Sequence, residues 1–389
     1  ESAHSSGLEV ITGQEYYVSP SGNDTSGNGS FENPWKTINF GFNILEPGDK
    51  LILRSGVYGP ETYPGYGDVG DGNGNKCMGI PLQKKGTATK PYVIENHTGE
   101  RPVLDQGYQG TGFNTAWGTA YVTIRGLEIR NCMWWGVGQQ GNKTAEGVIV
   151  ENCYIHHIRV HRGNNGGSVR PDKWEGGIIR NNYFAFSRML NNEGVEVMNN
   201  NACNIILYDA DNLTIAYNYF SDAYNAVYFK RPSSKESPVG TFFHHNIIDG
   251  IECFYGVAGA GSRPQVNQYN YCNLYLNTGI EFKSYETIPQ SGPLFVYNNI
   301  FHNGYIRFNQ PKDISFYNNI FYKQTSNRFC PAIMEYNNMS GYSYKVGLTL
   351  WDYNNYYQQN YFSFNFDSST EQRFNTLDDW KSAMQTKYN

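Results

Sequence analysis

Short runs of alternating apolar and polar residues fill most of the chain, and an asparagine interrupts them at loosely regular intervals. β-branched or aromatic residues precede each of these asparagines and apolar residues follow it, which predicts a strand, a tight bend and a second strand. Successive copies lie 20 to 36 residues apart, at Asn182, Asn218, Asn246, Asn270, Asn299 and Asn319. A local pattern that recurs at this period is typical of a solenoid.

Two further copies of the pattern carry Cys132 and Cys153 where the others carry asparagine. Asparagine suits the bend because it tolerates left-handed backbone angles and bonds its own main chain. In stacked coils we expect these side chains to form a ladder inside the turn. The two cysteines either form a disulfide between neighbouring coils or are small buried members of the ladder, and the sequence leaves both open.

A third strand follows in each coil, for example Ala226–Lys230, Gly279–Lys283 and Tyr305–Asn309. The segment after this strand is the longest and most variable of the coil. Long loops on one side of a rigid scaffold are where binding sites usually lie. The predicted loops are Arg231–Gly240, Ala258–Gln265, Ser284–Pro293 and Gln310–Asp313.

Helical spacing replaces alternation near both ends, over Trp35–Leu45 and again at Leu377, Trp380 and Met384. A helix there would cap the solenoid, since a terminal coil otherwise exposes its edge strands and core. We expect a flexible lead-in over residues 1–15, followed by one domain. That domain is predicted to comprise an N-terminal cap over 16–60, coils over 102–358 and a C-terminal cap over 371–389.

Composition agrees with a β-rich secreted protein, because only 17% of the 389 residues are charged whereas 42 are glycine and 32 are tyrosine. No run of about 18 apolar residues exists, so no membrane span is expected. The net charge of −5 provides no global basic field, which argues against nucleic acid as a partner. We expect a monomer that acts in the extracellular space or the periplasm.

Alternation along the third strands predicts which side chains face solvent. Val227 and Phe229 fit the core, so Tyr228 and Lys230 are predicted to face out. Coils stacked about 4.8 Å apart then give two external columns. One is predicted to contain Glu196, Tyr228, Tyr255, Glu281 and Arg307, and the other Lys230, Val257, Lys283 and Asn309, with Arg231 at the rim.

The stretch YYVSPSGNDTSGNGSFENPWKTINFGFNILEPGDKLILRSGVY resembles the N-terminal region of secreted β-helix proteins of the pectin-lyase-like superfamily. The resemblance continues through the coils to about residue 358. It implies a right-handed parallel β-helix and a carbohydrate-active enzyme, since the superfamily includes polysaccharide lyases and several glycoside hydrolase families. In the resembling lyases a Lys or Arg on this face acts as base, often with Ca²⁺ or a second cation as neutraliser.

Aromatic, acidic and basic groups on one face suit an acidic sugar chain, which favours a lyase acting by β-elimination on a uronate-containing polysaccharide. A lysine with a lowered pKa can remove the proton α to the uronate carboxylate. Lys230 is the first candidate for this base and Lys283 the second. Further candidates are Arg231 and Arg307 for substrate acid groups, Tyr228 or Tyr255 for protonation of the leaving oxygen, and His161 for the edge of the cleft.

Two other functions stay open. Glycoside hydrolysis needs two carboxylates that flank the bond, and the candidates are Glu196, Asp209, Asp211 and Glu281. A non-catalytic carbohydrate-binding helix would keep the same face, on which lysines and arginines also serve solubility. Asp209 and Asp211 suit a turn as well as a Ca²⁺ site, so Ca²⁺ is a possible cofactor although no ordered aspartate cluster is evident.

Overall fold

Three long parallel sheets run along most of the described chain, and most coils contribute one strand to each sheet. The computed structural model describes residues 13–61, 79–141, 143–161, 165–199, 201–231, 240–257, 267–284, 293–309, 314–323, 333–335, 348–357, 362–365 and 371–388. Over these residues the chain is all-β apart from two helices. The predicted parallel β-helix is confirmed.

The first sheet holds the strand that precedes the asparagine bend of each coil. Its strands are Glu15–Val18, Lys50–Leu53, Tyr92–Asn96, Val122–Arg125, Ile149–Glu151, Ile178–Arg180, Leu213–Ala216, Thr241–His244, Gln268–Tyr271, Leu294–Tyr297, Ile314–Tyr317 and Leu348–Asp352. The second sheet follows the bend. Its parallel strands are Gly56–Tyr58, Pro102–Asp105, Glu128–Arg130, Tyr154–His161, Tyr183–Leu190, Tyr219–Phe220, Ile247–Asp249, Leu274–Leu276, Ile300–His302, Ile320–Tyr322 and Asn355–Tyr357.

The third sheet completes each coil. Its strands are Ile80–Pro81, Phe113–Asn114, Trp135–Gly138, Gly166–Arg170, Ala202–Tyr208, Asn225–Arg231, Glu252–Val257, Gly279–Ser284, Tyr305–Asn309 and Ile333–Glu335. Three smaller pairings accompany these sheets. They are Ala145–Glu146 with Trp174–Glu175, Glu196–Val197 antiparallel to Tyr183–Leu190, and Phe362–Asn365 antiparallel to Glu371–Phe374.

Alternation within the strands builds the core, since every second residue points inward. In Leu213–Ala216, for example, Leu213 and Ile215 are fully buried. One apolar cluster extends in this way from Val18 to Phe321. Because parallel strands keep equivalent residues in register, aromatic side chains stack from coil to coil, as in Phe184 and Phe220 with ring centroids 5.2 Å apart.

The asparagine ladder is present with two changes of membership, since Asn273 replaces Asn270 and Asn354 is an additional member. The backbone N–H of each ladder asparagine donates to the side-chain oxygen of the next at 2.9–3.0 Å. Its members are Asn182, Asn218, Asn246, Asn273, Asn299, Asn319 and Asn354. The assignment of Asn270 is wrong, because Asn270 lies in a first-sheet strand, where it bonds Tyr275.

The left-handed backbone of the bend belongs to the residue before each ladder asparagine, such as Tyr217 with φ 58° and His245 with φ 54°. Cys153 occupies the ladder position above Asn182, whose side-chain oxygen accepts the Cys153 N–H at 2.9 Å. Cys132 and Cys153 are free, buried thiols. Of the two possibilities for this pair, they are therefore small buried residues and not a disulfide.

Helices cap both ends, as predicted. The first spans Ile38–Ile44, and the hydroxyl of its N-cap residue Thr37 accepts the N–H of Phe40. The second spans Leu377–Tyr388. In the described part of the chain neither helix is long and apolar enough to cross a membrane. Residues 1–12 of the predicted lead-in lie outside the described residues, and Glu15 already belongs to the first sheet.

Candidate functional site

The candidate site lies on the outer face of the third sheet. Val227, Ile280 and Ile306 are fully buried in the core, so their sequence neighbours face the other side of the sheet. Two of the four predicted loops, Ala258–Gln265 and Gln310–Asp313, lie outside the described residues. Of the other two, only the end residues are described.

Backbone pairing fixes which residues form a column on this face. Tyr228 pairs with Phe254, Phe254 with Glu281, and Glu281 with Arg307. Glu281 is half-buried, and the side chain of Arg307 lies outside the described part. Three of the predicted members therefore share one column.

Tyr255 does not belong to this column. It pairs with Phe229 and Phe282, both of which are buried in the core. The predicted position is wrong by one residue because the small Cys253 takes the core position. For Tyr255 to face outward as predicted, Phe254 would have to take the core position.

Tyr228 lies on the predicted side of the sheet but is only 2% exposed. It packs against Cys203 and Ile206, with Tyr208 partly covering them. The expectation of a solvent-facing Tyr228 is wrong, because these side chains form a second apolar layer on this part of the face.

Lys230 is the extra residue of a β-bulge. Phe229 pairs with Leu207 and Arg231 with Tyr208, which leaves Lys230 between two paired positions. Bulges of this kind re-aim side chains and are common next to active sites. The side chains of Lys230 and Arg231 lie outside the described part of the structure.

The second predicted column is partly formed. The backbone of Lys283 pairs with Gly256 and Asn309. Val257 pairs with Ser284 instead, so its predicted place beside Lys283 is wrong. Lys283 keeps its predicted neighbour Asn309, although its own side chain is not among those described.

Glu196 and His161 lie away from the third sheet. Glu196 belongs to the antiparallel addition to the second sheet and forms an ion pair with Arg159, 2.5 Å from its Nε. His161 ends the second-sheet strand Tyr154–His161, with its ring 5.7 Å from that of Trp134. Both predicted placements are wrong, because these coils have longer second-sheet strands and an extra short strand that the repeat pattern does not contain.

A buried ion pair, missed by the sequence analysis, lies where the strand Gly166–Arg170 ends. Arg170 is 5% exposed, and its Nη2 lies 3.5 Å from Oδ2 of Asp172. Its guanidinium carbon lies 5.4 Å from the ring centre of Trp135 and 5.1 Å from that of Tyr208. These contacts hold the charged group beneath the face.

Burial raises the pKa of Asp172 to about 6, and the charge of Asp209 adds to the rise while Arg170 opposes it. The backbone of Asp172 forms an isolated β-bridge with that of Tyr208. Tyr208 in turn pairs with Arg231 in the next coil. Three successive coils thus bring an acid, an aromatic residue and a basic residue to one edge of the face. The sequence signal for this ion pair was limited to an aspartate that lies two residues after an arginine at the end of a strand.

A second missed pair spans three coils. The Tyr305 hydroxyl donates to Oε1 of Glu252, and Gly279 lies in the coil between them. A Cβ at Gly279 would lie 1.8 Å from the carbonyl oxygen of Tyr305, so only glycine fits there. Glu252 precedes the inward Cys253 and is therefore a carboxylate of the outer face.

Comparison with known proteins adds to this geometry. Residues 16–215, just over half of the chain, match a family model described as Pel9A-like, right handed beta helix region. The chain belongs to this Pel9A-like family. The match covers the strands of all three sheets up to Ala202–Tyr208 and most of Leu213–Ala216, and it ends before Lys230.

Curated relatives of the Pel9A-like chain are pectate lyases. Pectate lyase L of Dickeya chrysanthemi is 27% identical over 167 residues, which cover 41% of the chain and 36% of that protein. Pectate lyase PEL9 of Emericella nidulans is 27% identical over 96 residues, 25% of the chain and 19% of that protein. The chain therefore spans about a third or less of the length of these relatives.

A solved structure with the same fold is the complex of XylC with xylose. It matches with a TM-score of 0.51 at 11% identity, over 85% of the Pel9A-like chain and 71% of the XylC chain. At this identity the similarity shows the fold alone.

The possible calcium site has no cluster of ligands among the described residues of this Pel9A-like chain. Among them no three His, Cys, Asp or Glu side chains are grouped so that they could hold a metal ion. Asp172 faces Arg170, Asp209 is in a left-handed turn with φ 48°, and Asp211 is buried. A calcium requirement stays a prediction, and no step below depends on it.

Proposed function

We propose that this Pel9A-like protein is a polysaccharide lyase that cleaves an acidic, uronate-containing polysaccharide by β-elimination. The observation that carries the proposal is Lys230 at the bulge beside Arg231, whose backbone pairs with Tyr208, the bridge partner of Asp172. The family and its pectate lyase relatives support the same class. Action outside the cell, where such polymers occur, is part of the proposal.

In the proposed reaction, Lys230 in its neutral form takes the proton α to the uronate carboxylate. The positive charge of Arg231 pairs with that carboxylate and stabilises the carbanion-like transition state. The electron pair of the broken C–H bond forms a carbon–carbon double bond, and the bond to the leaving oxygen breaks. Because Tyr228 is buried, the protonated Lys230 returns the proton to the leaving oxygen.

Lys283 and Arg307 continue the face along the helix axis, one and two coils respectively beyond the strand that holds Tyr255. Coils spaced by about 4.8 Å put successive cations at intervals that suit successive acid groups of an extended polymer. We assign these two residues to substrate binding and Glu281 to hydrogen bonds with sugar hydroxyls between them.

The test follows the ultraviolet absorbance of the unsaturated uronate with pectate, alginate and glycosaminoglycans as substrates. Lys230→Ala should lower kcat by roughly 10²- to 10⁴-fold, the usual contribution of a positioned base. Lys323→Ala removes an exposed lysine after a second-sheet strand and should leave kcat unchanged. Wild-type rates in Lys230→Ala, with unchanged circular dichroism, would overturn the assignment.

Glycoside hydrolysis is the second candidate, and Glu252 is the observation that favours it. Glu252 and Glu281 face the same side of neighbouring coils, two residues apart along the strands. Coil spacing and strand rise give about 8 Å between their Cα atoms, a separation from which the carboxyls can reach the ~6.5–9.5 Å of inverting glycosidases. Wild type would then produce new reducing ends without the unsaturated product, and Glu252→Gln would no longer produce them. This pair of results would establish the alternative. Absence of any cleavage would favour a binding protein.

A further inference from the structure

Two columns of aromatic rings cover part of the first sheet, on a different face from the candidate site. We call them the aromatic strip; its members are Phe242, Tyr269 and Phe295 in one column and His244, Tyr271, Tyr297 and Tyr317 in the other. The residues between the columns, such as Phe243 and Val296, are buried in the core, so the strip faces outward.

Neighbouring rings of the strip are stacked almost in parallel. Tyr271 and Tyr297 have centroids 5.0 Å apart and planes 3° apart, and Tyr297 and Tyr317 follow at 5.1 Å and 2°. Phe242, Tyr269 and Phe295 repeat the spacing at 5.0 Å. Each ring covers the face of the next, so ring edges and tyrosine hydroxyls are presented to solvent once per coil.

The fold does not require aromatic residues at these positions. Earlier coils of the same sheet fill the equivalent column with Arg125, Glu151 and Arg180, and these form ion pairs from coil to coil. The backbone of Arg180 pairs with that of Ala216, and Ala216 pairs with His244. The ion-paired residues and the rings therefore belong to one column. The change from ion pairs to rings within one sheet indicates a role other than holding the coils together.

The strip is a neutral surface at physiological pH. Burial raises the pKa of Tyr297 to about 12 and also raises that of Tyr271, so both hydroxyls stay protonated. Burial and the neighbouring His245 lower the pKa of His244, which favours the neutral imidazole. Rings and uncharged hydroxyls suit a partner that is itself rich in hydroxyls and carries no charge.

The dimensions of the strip favour a polymer chain over a globular partner. Three coil steps give a length of about 14 Å and two alternate positions a width of about 7 Å. The resulting area, on the order of 100 Å², is far below the roughly 800 Å² that each partner buries in a standard protein interface. Exposed His245, Asn298 and Asn318 separate the strip from the isoleucines of the second sheet.

We propose that the aromatic strip is a second carbohydrate-binding site, which holds an extended, neutral, β-linked polysaccharide along the helix axis. The spacing of the hydroxyls is comparable to the length of one sugar residue in such a chain, so each coil can bond one sugar while ring edges contact its C–H groups. The proposal does not depend on the lyase chemistry. Binding here would keep the protein on a mixed polysaccharide matrix while the third sheet acts on the acidic component.

Retention on an insoluble neutral glycan tests the proposal, with amorphous cellulose and insoluble xylan as probes. Wild type should be depleted from solution by at least one of them. The double variant Tyr271→Ala/Tyr297→Ala should bind about 5- to 150-fold more weakly, since two aromatic contacts of ~0.5–1.5 kcal/mol each are removed. Tyr297→Phe keeps the ring and should lose only the part that the hydroxyl contributes.

The matched control is Tyr154→Ala/Tyr183→Ala, which removes a comparable stacked pair, 4.8 Å apart, from the second sheet. It should bind like wild type, and both double variants should keep the wild-type rate on soluble acidic substrate. Equal retention of the two double variants, or no retention of wild type on either glycan, would overturn the proposal. A wild-type dimer that becomes monomeric in Tyr271→Ala/Tyr297→Ala would assign the strip to self-association instead.

Discussion

At the scale of single residues, the half-buried carboxylate of Glu61 connects the N-terminal helix to the coils. Its two oxygens accept the backbone N–H groups of Ile38 and Asn39 at 2.8 and 2.9 Å, at the start of the helix Ile38–Ile44. Burial raises the pKa of Glu61 to about 7, although both backbone bonds oppose the rise. The carboxylate thus satisfies two helix N–H groups but bears a desolvation cost when charged.

This carboxyl should make stability depend on pH. Because its pKa rises from 4.5 in the unfolded chain to about 7 in the fold, the folded state binds more protons. The contribution of Glu61 to stability is therefore greatest below pH 4.5 and falls by about 3 kcal/mol as the pH rises towards 7 and above. Denaturant unfolding of wild type at pH 5 and pH 8 should show the loss, and Glu61→Gln should reduce it.

The pKa of Asp172 is also raised, to about 6, so Asp172 contributes a smaller loss of stability with rising pH. The dependence of stability on pH should therefore be weaker in Glu61→Gln than in wild type, but not absent. Glu32→Gln removes an exposed carboxyl from the same end of the chain and serves as the control. A pH slope in Glu61→Gln equal to that of wild type would mean that Glu61 titrates normally.

At the scale of elements, the tight turn between the first and second sheets depends on the asparagine ladder. The amide of Asn246 donates to the Ile215 carbonyl and to the side chain of Asn273, and its oxygen accepts the N–H and the side-chain amide of Asn218. All four residues are buried. The ladder therefore satisfies polar groups that three coils bury at once.

Asn246→Ala should destabilise the protein by roughly 3–5 kcal/mol, because it leaves at least two buried polar groups unpaired at about 1–3 kcal/mol each. The measurement is the free energy of unfolding, with Asn43→Ala as control since Asn43 is exposed on the helix. A change below about 1 kcal/mol, the usual limit for surface sites, would show that water replaces the ladder bonds.

Strand alternation and the asparagine bends predicted the coils, the three sheets and both caps, because these depend on local pattern. The errors in assignment arose where two nearby residues each fitted the same predicted position. Asn270 and Asn273 both stand near a bend, and only the register of the stacked coils selects Asn273. Tyr255 was misplaced in the same way, since a small Cys253 in the core leaves no hydrophobic signal for the parity of that strand.

The candidate site was less predictable than the fold, because its contacts join distant coils. Tyr305 reaches Glu252 only because Gly279 lies between them, and no local pattern reveals that contact. Arg170 likewise gains its role from Trp135 and Tyr208, on the coils either side of it. Lys230 was found from alternation, whereas the bulge that isolates it required the register of two strands.

At the scale of the whole molecule, each coil contacts chiefly its two neighbours, so stability is close to a sum of coil and interface contributions. The final interface is formed by the helix Leu377–Tyr388. Its Trp380 is 2% exposed and packs against Trp351, Tyr356 and Phe374 of the last coils. Loss of this contact should therefore act on one end of the molecule.

Trp380→Ala should cost about 3–5 kcal/mol locally, as for other buried aromatic truncations, and should open the C-terminal coils without loosening the N-terminal ones. Hydrogen exchange read by mass spectrometry should show faster exchange around Tyr356 and Phe374 and unchanged exchange around Ile94, in the strand Tyr92–Asn96. Leu350→Ala, at a 38% exposed position of the last first-sheet strand, provides the control. Faster exchange along the whole chain would instead mean that the β-helix unfolds as one cooperative unit.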